Sequence, residues 1–272
     1  MDVHVRGMRY HLDDRGAGHP LALLHGFTGR AASWSEHLGP LARHFRVLAI
    51  DQLGHGDTSI PADPARYRID EGAADLIAVL QHAGALPAAL LGYSMGGRLA
   101  LYAALTYPNA FSALILESAS PGLRGEAAQH ERLLKDAALA SGILEHGVRA
   151  FVDEWEQLSL FSTQRSMPAE RRAMQRAIRL ANDPLGLANS LRGMSTGAQP
   201  SLWERLPELT IPVLLITGSE DARFNTIADE MMTLFPNAQR VIVPGASHTI
   251  HVEQPDRYDE IVTGFLLQLA AT

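Results

Sequence analysis

GYSMGGR, residues 92–98, is the stretch on which the reading of this chain turns. Its first five residues, Gly92-Tyr93-Ser94-Met95-Gly96, fit the G-x-S-x-G pattern of a nucleophile elbow, a sharp strand-to-helix turn that lifts a serine hydroxyl above a sheet. The flanks supply that setting. Ala88–Leu91 is an apolar run of strand length, and RLALYAAL at 98–105 has helical spacing. Glycines at 92 and 96 relieve the crowding of such a turn. Arg98, four residues past Ser94, falls on the same helical face as the serine. A neutral ester needs no guanidinium there, so Arg98 raises the question of what Ser94 acts on.

Working outward, further short apolar runs bounded by turn residues read as buried strands: Leu21–Leu24, Val47–Ile50, Ala113–Leu116, Val213–Thr217 and Arg240–Val243. Between them lie helical stretches such as Glu71–His82, so the expected fold class is α/β, a mostly parallel sheet flanked by helices. Alternation over Val3–Leu12 predicts an antiparallel edge strand or hairpin. The strand pattern stops near Pro121, where HERLLKDAALA (130–140) and AERRAMQRAIRLAN (169–182) have helical periodicity, and resumes after Leu206. We therefore read residues 1–120 and 207–272 as one core and 121–206 as a helical cap inserted in it.

Composition narrows the partners. A net charge of -7 over 272 residues argues against a general nucleic-acid or anionic-membrane binder. Of the 23 cationic residues only Lys135 is a lysine, so positive charge sits on planar forks suited to bidentate carboxylate contacts; genomic composition bias accounts for that equally well. Cysteine is absent, which removes thiolate chemistry and disulfides. No apolar run approaches the ~18 residues of a membrane span, and the N-terminus has no secretory pattern, so the expectation is a soluble, cytoplasmic protein. No dinucleotide fingerprint, P-loop or helical histidine pair is present, and neither cofactor nor metal is expected. DQLGHGDTS, 51–59, reads as a turn shaping a pocket wall.

A serine hydroxyl needs a base, and the base an acid to hold its tautomer. Asp221 in GSEDARF and His248 in PGASH each follow a strand, where open α/β sheets place their sites. Glu220 is the competing acid and His251 the competing base; the other role open to Asp221 is a helix N-cap. An oxyanion hole in this layout takes one amide from the residue after the nucleophile and one from the loop after an earlier strand. Met95 and, in HGF at 25–27, Phe27 are the candidates.

HGFTG (25–29), DQLGHGDTS, GYSMGG and the Asp221 and His248 contexts together resemble the α/β-hydrolase superfamily over essentially the whole chain. GYSMGGR, ESASPGL (117–123), SLRGMSTGAQPSLWERL (190–206) and GASHTIHVEQP (245–255) narrow the resemblance to the MenH family, the 2-succinyl-6-hydroxy-2,4-cyclohexadiene-1-carboxylate synthases of menaquinone biosynthesis. That resemblance implies a lyase acting on a small tricarboxylate, a cyclohexene bearing ring carboxylate, succinyl and enolpyruvyl groups, from which pyruvate is eliminated. It further implies substrate contacts from Tyr93, Arg98, Arg132, Trp155 and Arg179, with Arg176 the neighbouring alternative to Arg179. The chain departs from the family pattern around Gln129 and Leu133, where many relatives carry further basic residues. For the cap arginines the competing role is structural, such as an i,i+4 pair of Arg132 with Asp136. The expected mechanism is proton abstraction by Ser94, relayed through His248. A serine hydrolase acting on an acidic ester or a C–C bond would use the same residues, and a non-catalytic binding protein could share the scaffold.

Overall fold

The computed structural model describes residues 1–270. Strands β1 (Asp2–Val5) and β2 (Met8–Arg15) form a hairpin whose turn residues, Arg6 and Gly7, both have positive φ, as a tight two-residue turn requires. Then come β3 (Pro20–Leu24), α1 (Ser35–Leu41), β4 (Arg46–Ile50), α2 (Ile69–His82), β5 (Ala88–Tyr93), α3 (Met95–Thr106) and β6 (Phe111–Glu117). From β6 the chain leaves the sheet for α4 (Glu126–Trp155), α5 (Ala169–Leu180) and α6 (Pro184–Met194). It returns as β7 (Val213–Gly218), α7 (Ala222–Leu234), β8 (Ala238–Val243), α8 (Ile250–Glu253) and α9 (Pro255–Ala270).

The eight strands make one sheet in the order β1-β2-β4-β3-β5-β6-β7-β8, parallel from β4 to β8 with β1 and β2 antiparallel. The central strand β5 is buried at every residue, which explains why AALLGY shows no polar alternation. One apolar core lies under α2 and α3, and a second lies under α1 and α9 on the opposite face. Leu90 and Leu91 face these two cores, and truncating either to Ala removes about 2–5 kcal/mol. Edge strand β8 is only half-buried and carries correspondingly more polar residues.

Register aligns the carboxyl ends of the parallel strands: Leu24 pairs with Gly92, Tyr93 with Glu117, Glu117 with Ile216, and Gly218 with Val243. The loops after β3, β5, β6, β7 and β8 therefore open along one rim. Between β6 and β7 the described residues form helices and 3-10 turns without a strand. Helix α4 packs on α6, and Ala140, Ile143, Phe151, Leu187 and Leu191 form a small apolar cluster apart from the two sheet cores. At Gly147 (φ 81°, ψ 167°) helical geometry breaks, so the final turns of α4 run at a new angle. No helix among the described residues is long and apolar enough to cross a membrane.

Candidate active site

Ser94 sits between β5 and α3 with φ 51° and ψ -106°, a region that costs a non-glycine residue about 1–3 kcal/mol. Close packing holds the turn. A Cβ at Gly92 would lie 2.6 Å from the Gly97 Cα, and one at Gly96 would lie 2.5 Å from the His25 carbonyl oxygen. The Ser94 N–H donates to the Glu117 carbonyl at 2.9 Å, which ties the elbow to the end of β6.

Two loops bring partners to the serine. His248 Nε2 lies 3.1 Å from Ser94 Oγ, and its Nδ1 lies 2.7 Å from Asp221 Oδ2. A carboxylate only accepts, so Nδ1 carries the proton and Nε2 turns its lone pair toward the Ser94 hydroxyl. The other Asp221 oxygen accepts the Phe224 N–H at 3.3 Å and caps α7, so the cap and the His248 contact coexist in one side chain. The rivals are engaged elsewhere. Glu220 accepts from Ser219 Oγ at 2.9 Å, and His251 Nδ1 lies 2.9 Å from both Glu117 oxygens, beneath the Tyr93 ring.

The HGF loop is braced by a histidine that sequence reasoning did not single out. His25 Nδ1 donates to the Gly26 carbonyl at 2.8 Å, while Nε2 accepts the Gln52 N–H at 3.0 Å. Accepting at Nε2 requires the neutral ring, and burial pushes the pKa of His25 down to about 4. The next bond in the loop runs from the Gly29 N–H to the Gly26 carbonyl. Met95 opens α3, where a first-turn N–H has no intrahelical acceptor. Phe27 and Met95 both border the cavity above Ser94.

That cavity has a volume of about 630 Å³, within the range of small-molecule sites. Tyr93, Arg98, Arg132 and Trp155 border it along with the Ser94, His248 and Asp221 side chains. Arg98 donates from Nη1 to the Met194 carbonyl at 2.7 Å and to Gln199 Oε1 at 2.6 Å, and it has no carboxylate partner among the described residues. Burial, reinforced by nearby Arg132 and opposed by Asp136, pushes its pKa down to about 10. Arg132 does make the i,i+4 pair with Asp136, at 2.8 Å, while bordering the cavity. The Trp155 indole N–H is buried without an acceptor.

Arg179 is placed differently. Its guanidinium donates to Glu156 at 2.9 Å and Gln164 at 3.0 Å and lies over the Phe161 ring, 5.0 Å from its centroid. Phe161 borders the main cavity, whereas Arg179 borders a smaller one behind it. Arg176 is likewise held, by Glu156 and Asp153. The residue that reading motifs missed is Arg223. It borders the cavity next to Asp221, is exposed, and has no carboxylate partner among the described residues. Its position two residues past the candidate acid was the available signal.

Among the described residues, His11, Asp51 and Asp57 are the one cluster with metal-like spacing, their ligand atoms lying within 4.8 Å of one another. Each is already engaged: His11 with Asp2, Asp51 with the Ala31 and Asp57 amides, and Asp57 with Arg30. The cluster braces the turn at 51–59.

Comparison with known proteins follows this geometry. The alpha/beta hydrolase fold family matches residues 19–255. A Bacillus subtilis (strain 168) protein, named provisionally as a 2-succinyl-6-hydroxy-2,4-cyclohexadiene-1-carboxylate synthase, is 44% identical over 97% of this chain and 96% of its own. The solved structure of MenH from S. aureus superposes with a TM-score of 0.92 at 36% identity, covering 96% of this chain and 98% of that one. A malate-bound thermophilic esterase from Thermogutta terrifontis gives a TM-score of 0.84 at 27% identity, covering 98% and 97%. The chain thus belongs to the alpha/beta hydrolase fold family and, within it, to the family of the 2-succinyl-6-hydroxy-2,4-cyclohexadiene-1-carboxylate synthases.

Proposed function

We propose that this protein eliminates pyruvate from 2-succinyl-5-enolpyruvyl-6-hydroxy-3-cyclohexene-1-carboxylate to give 2-succinyl-6-hydroxy-2,4-cyclohexadiene-1-carboxylate, a step of menaquinone biosynthesis. The observation that carries this reading is Arg98, a half-buried guanidinium one helical turn from Ser94 without a protein carboxylate. A cavity that leaves such a charge uncompensated favours an anionic ligand.

In this reading the Ser94 oxygen, relieved of its proton by His248 Nε2, removes the ring proton next to the succinyl ketone. Asp221 holds the resulting imidazolium. The electron pair moves onto the ketone oxygen, where the Phe27 and Met95 amides stabilise the enolate. Collapse of the enolate shifts the ring double bond and breaks the carbon–oxygen bond to the enolpyruvyl group, which leaves as the enolate of pyruvate and becomes pyruvate by taking up a proton at its methylene carbon. The leaving group stands across the ring from the proton, so the three carboxylates diverge and need separated cations. Arg98, Arg132 and Arg223 all border the cavity, an arrangement that contributes positioning more than chemistry. Arg179 acts from behind Phe161 by holding the segment that walls the cavity, and residues 121–206 serve as the cap.

The test is to incubate the protein with the enolpyruvyl substrate and follow pyruvate. Turnover supports the lyase, and its absence sinks it. The assembled Ser94–His248–Asp221 chain also favours, as a second reading, a serine hydrolase of acidic esters, which releases no pyruvate from this substrate.

A further inference from the structure

The segment SLRGMSTGAQPSLW is not required by the serine chemistry, yet it wraps the one cation nearest to Ser94. Its Met194 carbonyl and its Gln199 amide oxygen are the two acceptors of Arg98. The turn between them is closed by Ser195, whose Oγ accepts the Gly197 N–H at 3.0 Å and the Ala198 N–H at 3.1 Å. Farther on, Trp203 Nε1 donates to the Gly122 carbonyl at 3.0 Å, fastening the segment to the loop after β6. Gln199 itself is 1% exposed, and its Nε2 has no acceptor.

Two features of this cradle bear on the ligand. Both Arg98 bonds originate from Nη1, which leaves the Nε and Nη2 edge without a protein acceptor among the described residues. That edge is a two-pronged donor matched to a carboxylate. Moreover, both acceptors are neutral. They fix the guanidinium without cancelling its charge, whereas the carboxylate that usually accompanies a buried arginine would cancel it. An amide at 199 leaves its own Nε2 unsatisfied, a cost that an acceptor-only carboxylate would avoid.

We infer that Gln199 is a positioning residue that sets specificity for an anionic substrate by holding Arg98 through a neutral acceptor, leaving the Nε and Nη2 edge charged and free for a substrate carboxylate. This deepens the lyase reading and rests on it. The nearly isosteric Gln199→Glu would place the competing anion inside the protein. Gln199→Met removes the acceptor without adding charge.

The experiment measures pyruvate release and, separately, calorimetric binding of 2-succinylbenzoate, a stable aromatic carrying the ring carboxylate and succinyl group but no leaving group. We expect Gln199→Glu to raise KM and the 2-succinylbenzoate Kd by about tenfold or more, with kcat within about threefold of the unaltered protein. Gln199→Met, which loses the hold without adding charge, should raise KM and Kd by about three- to fivefold, less than Gln199→Glu, with kcat unchanged. Equal losses in the two variants, or a Gln199→Glu variant that binds normally, would overturn the inference. Should Gln199→Glu not fold, Gln199→Met alone decides: a rise of about threefold or more in KM and Kd with kcat held supports the positioning role, and unchanged constants contradict it. If the unaltered protein releases no pyruvate, the lyase reading fails while the binding comparison still judges Gln199. If it also fails to bind 2-succinylbenzoate, both fail.

Discussion

His248 Nε2 stands 3.1 Å from the Ser94 hydroxyl oxygen, in line with an Asp221 carboxylate 2.7 Å from Nδ1. Ser94→Ala and His248→Ala should therefore each lower turnover by about a hundredfold or more while leaving the folded state intact, because each removes a member of one proton-transfer unit. Steady-state assay beside a thermal melt checks this. Near-normal turnover in either folded variant removes that residue from the mechanism.

In the proposed mechanism Asp221 serves catalysis with one oxygen, while its other oxygen caps α7, and two substitutions separate these roles. Asparagine is a good N-cap, so Asp221→Asn should keep most of the stability yet lose turnover, since its amide can stabilise neither the imidazolium nor the Nδ1–H tautomer reliably. Asp221→Ala should lose turnover and a further ~1 kcal/mol of stability from the missing cap. Urea titration with kinetics reads both. Equal stabilities would show that the Phe224 contact contributes nothing.

The fold was legible because its central strands are buried on both faces. Ala88–Leu91 and Leu21–Leu24 read as strands without alternation, and the structure extends them only to Tyr93 and back to Pro20. The Val3–Leu12 alternation left strand and hairpin open, and the Arg6-Gly7 turn makes it a hairpin. Ser94, Asp221 and His248 could be picked out because each follows a strand end, and strand ends share a rim. The arginines were less legible. A helical arginine looks alike whether its fork faces a cavity or an acid on a neighbouring helix, and only folding reveals that Glu156, from the end of α4 to which Arg179 is distant in sequence, engages it. Conversely, Arg223 carries a single local cue, its place two residues past Asp221, while the cavity it borders is built from segments far apart in the chain.

Those placements predict different consequences. Arg223→Gln should raise KM for the tricarboxylate about tenfold with little change in melting temperature, because it removes an exposed cation that has no carboxylate partner among the described residues. Arg179→Gln should lower the melting temperature, because it takes the charged partner from Glu156 Oε1 and the donor from Gln164, leaving Arg176 as the partner of Glu156. A reversed pattern would mean that Phe161 swings aside and Arg179 is the third anchor.

Acid should loosen the HGF loop. Burial pulls the pKa of His25 from 6.5 to about 4, and burial with neighbouring His25 pulls His55 to about 3. Between pH 6.5 and about 4 the unfolded chain binds a proton at position 25 that the folded protein refuses, so stability is full above 6.5 and declines as pH falls through this window. The His25 share is about 3 kcal/mol. Urea melts at pH 5 and 7 should show the decline, and His25→Asn should reduce its slope by about one proton. An unchanged slope would place the titration elsewhere.

The most direct test of elimination is the fate of solvent oxygen. A serine hydrolase breaks its acyl-enzyme with water and must deliver a solvent oxygen to a product carboxylate, whereas elimination moves a proton and leaves every carboxylate oxygen in place. The reaction is run in heavy-oxygen water and sampled early by mass spectrometry, reading the carboxylate fragment of pyruvate against an enzyme-free control because its ketone exchanges slowly. The account predicts pyruvate and the cyclohexadiene product without new label in any carboxylate; stoichiometric label in a product carboxylate would contradict it.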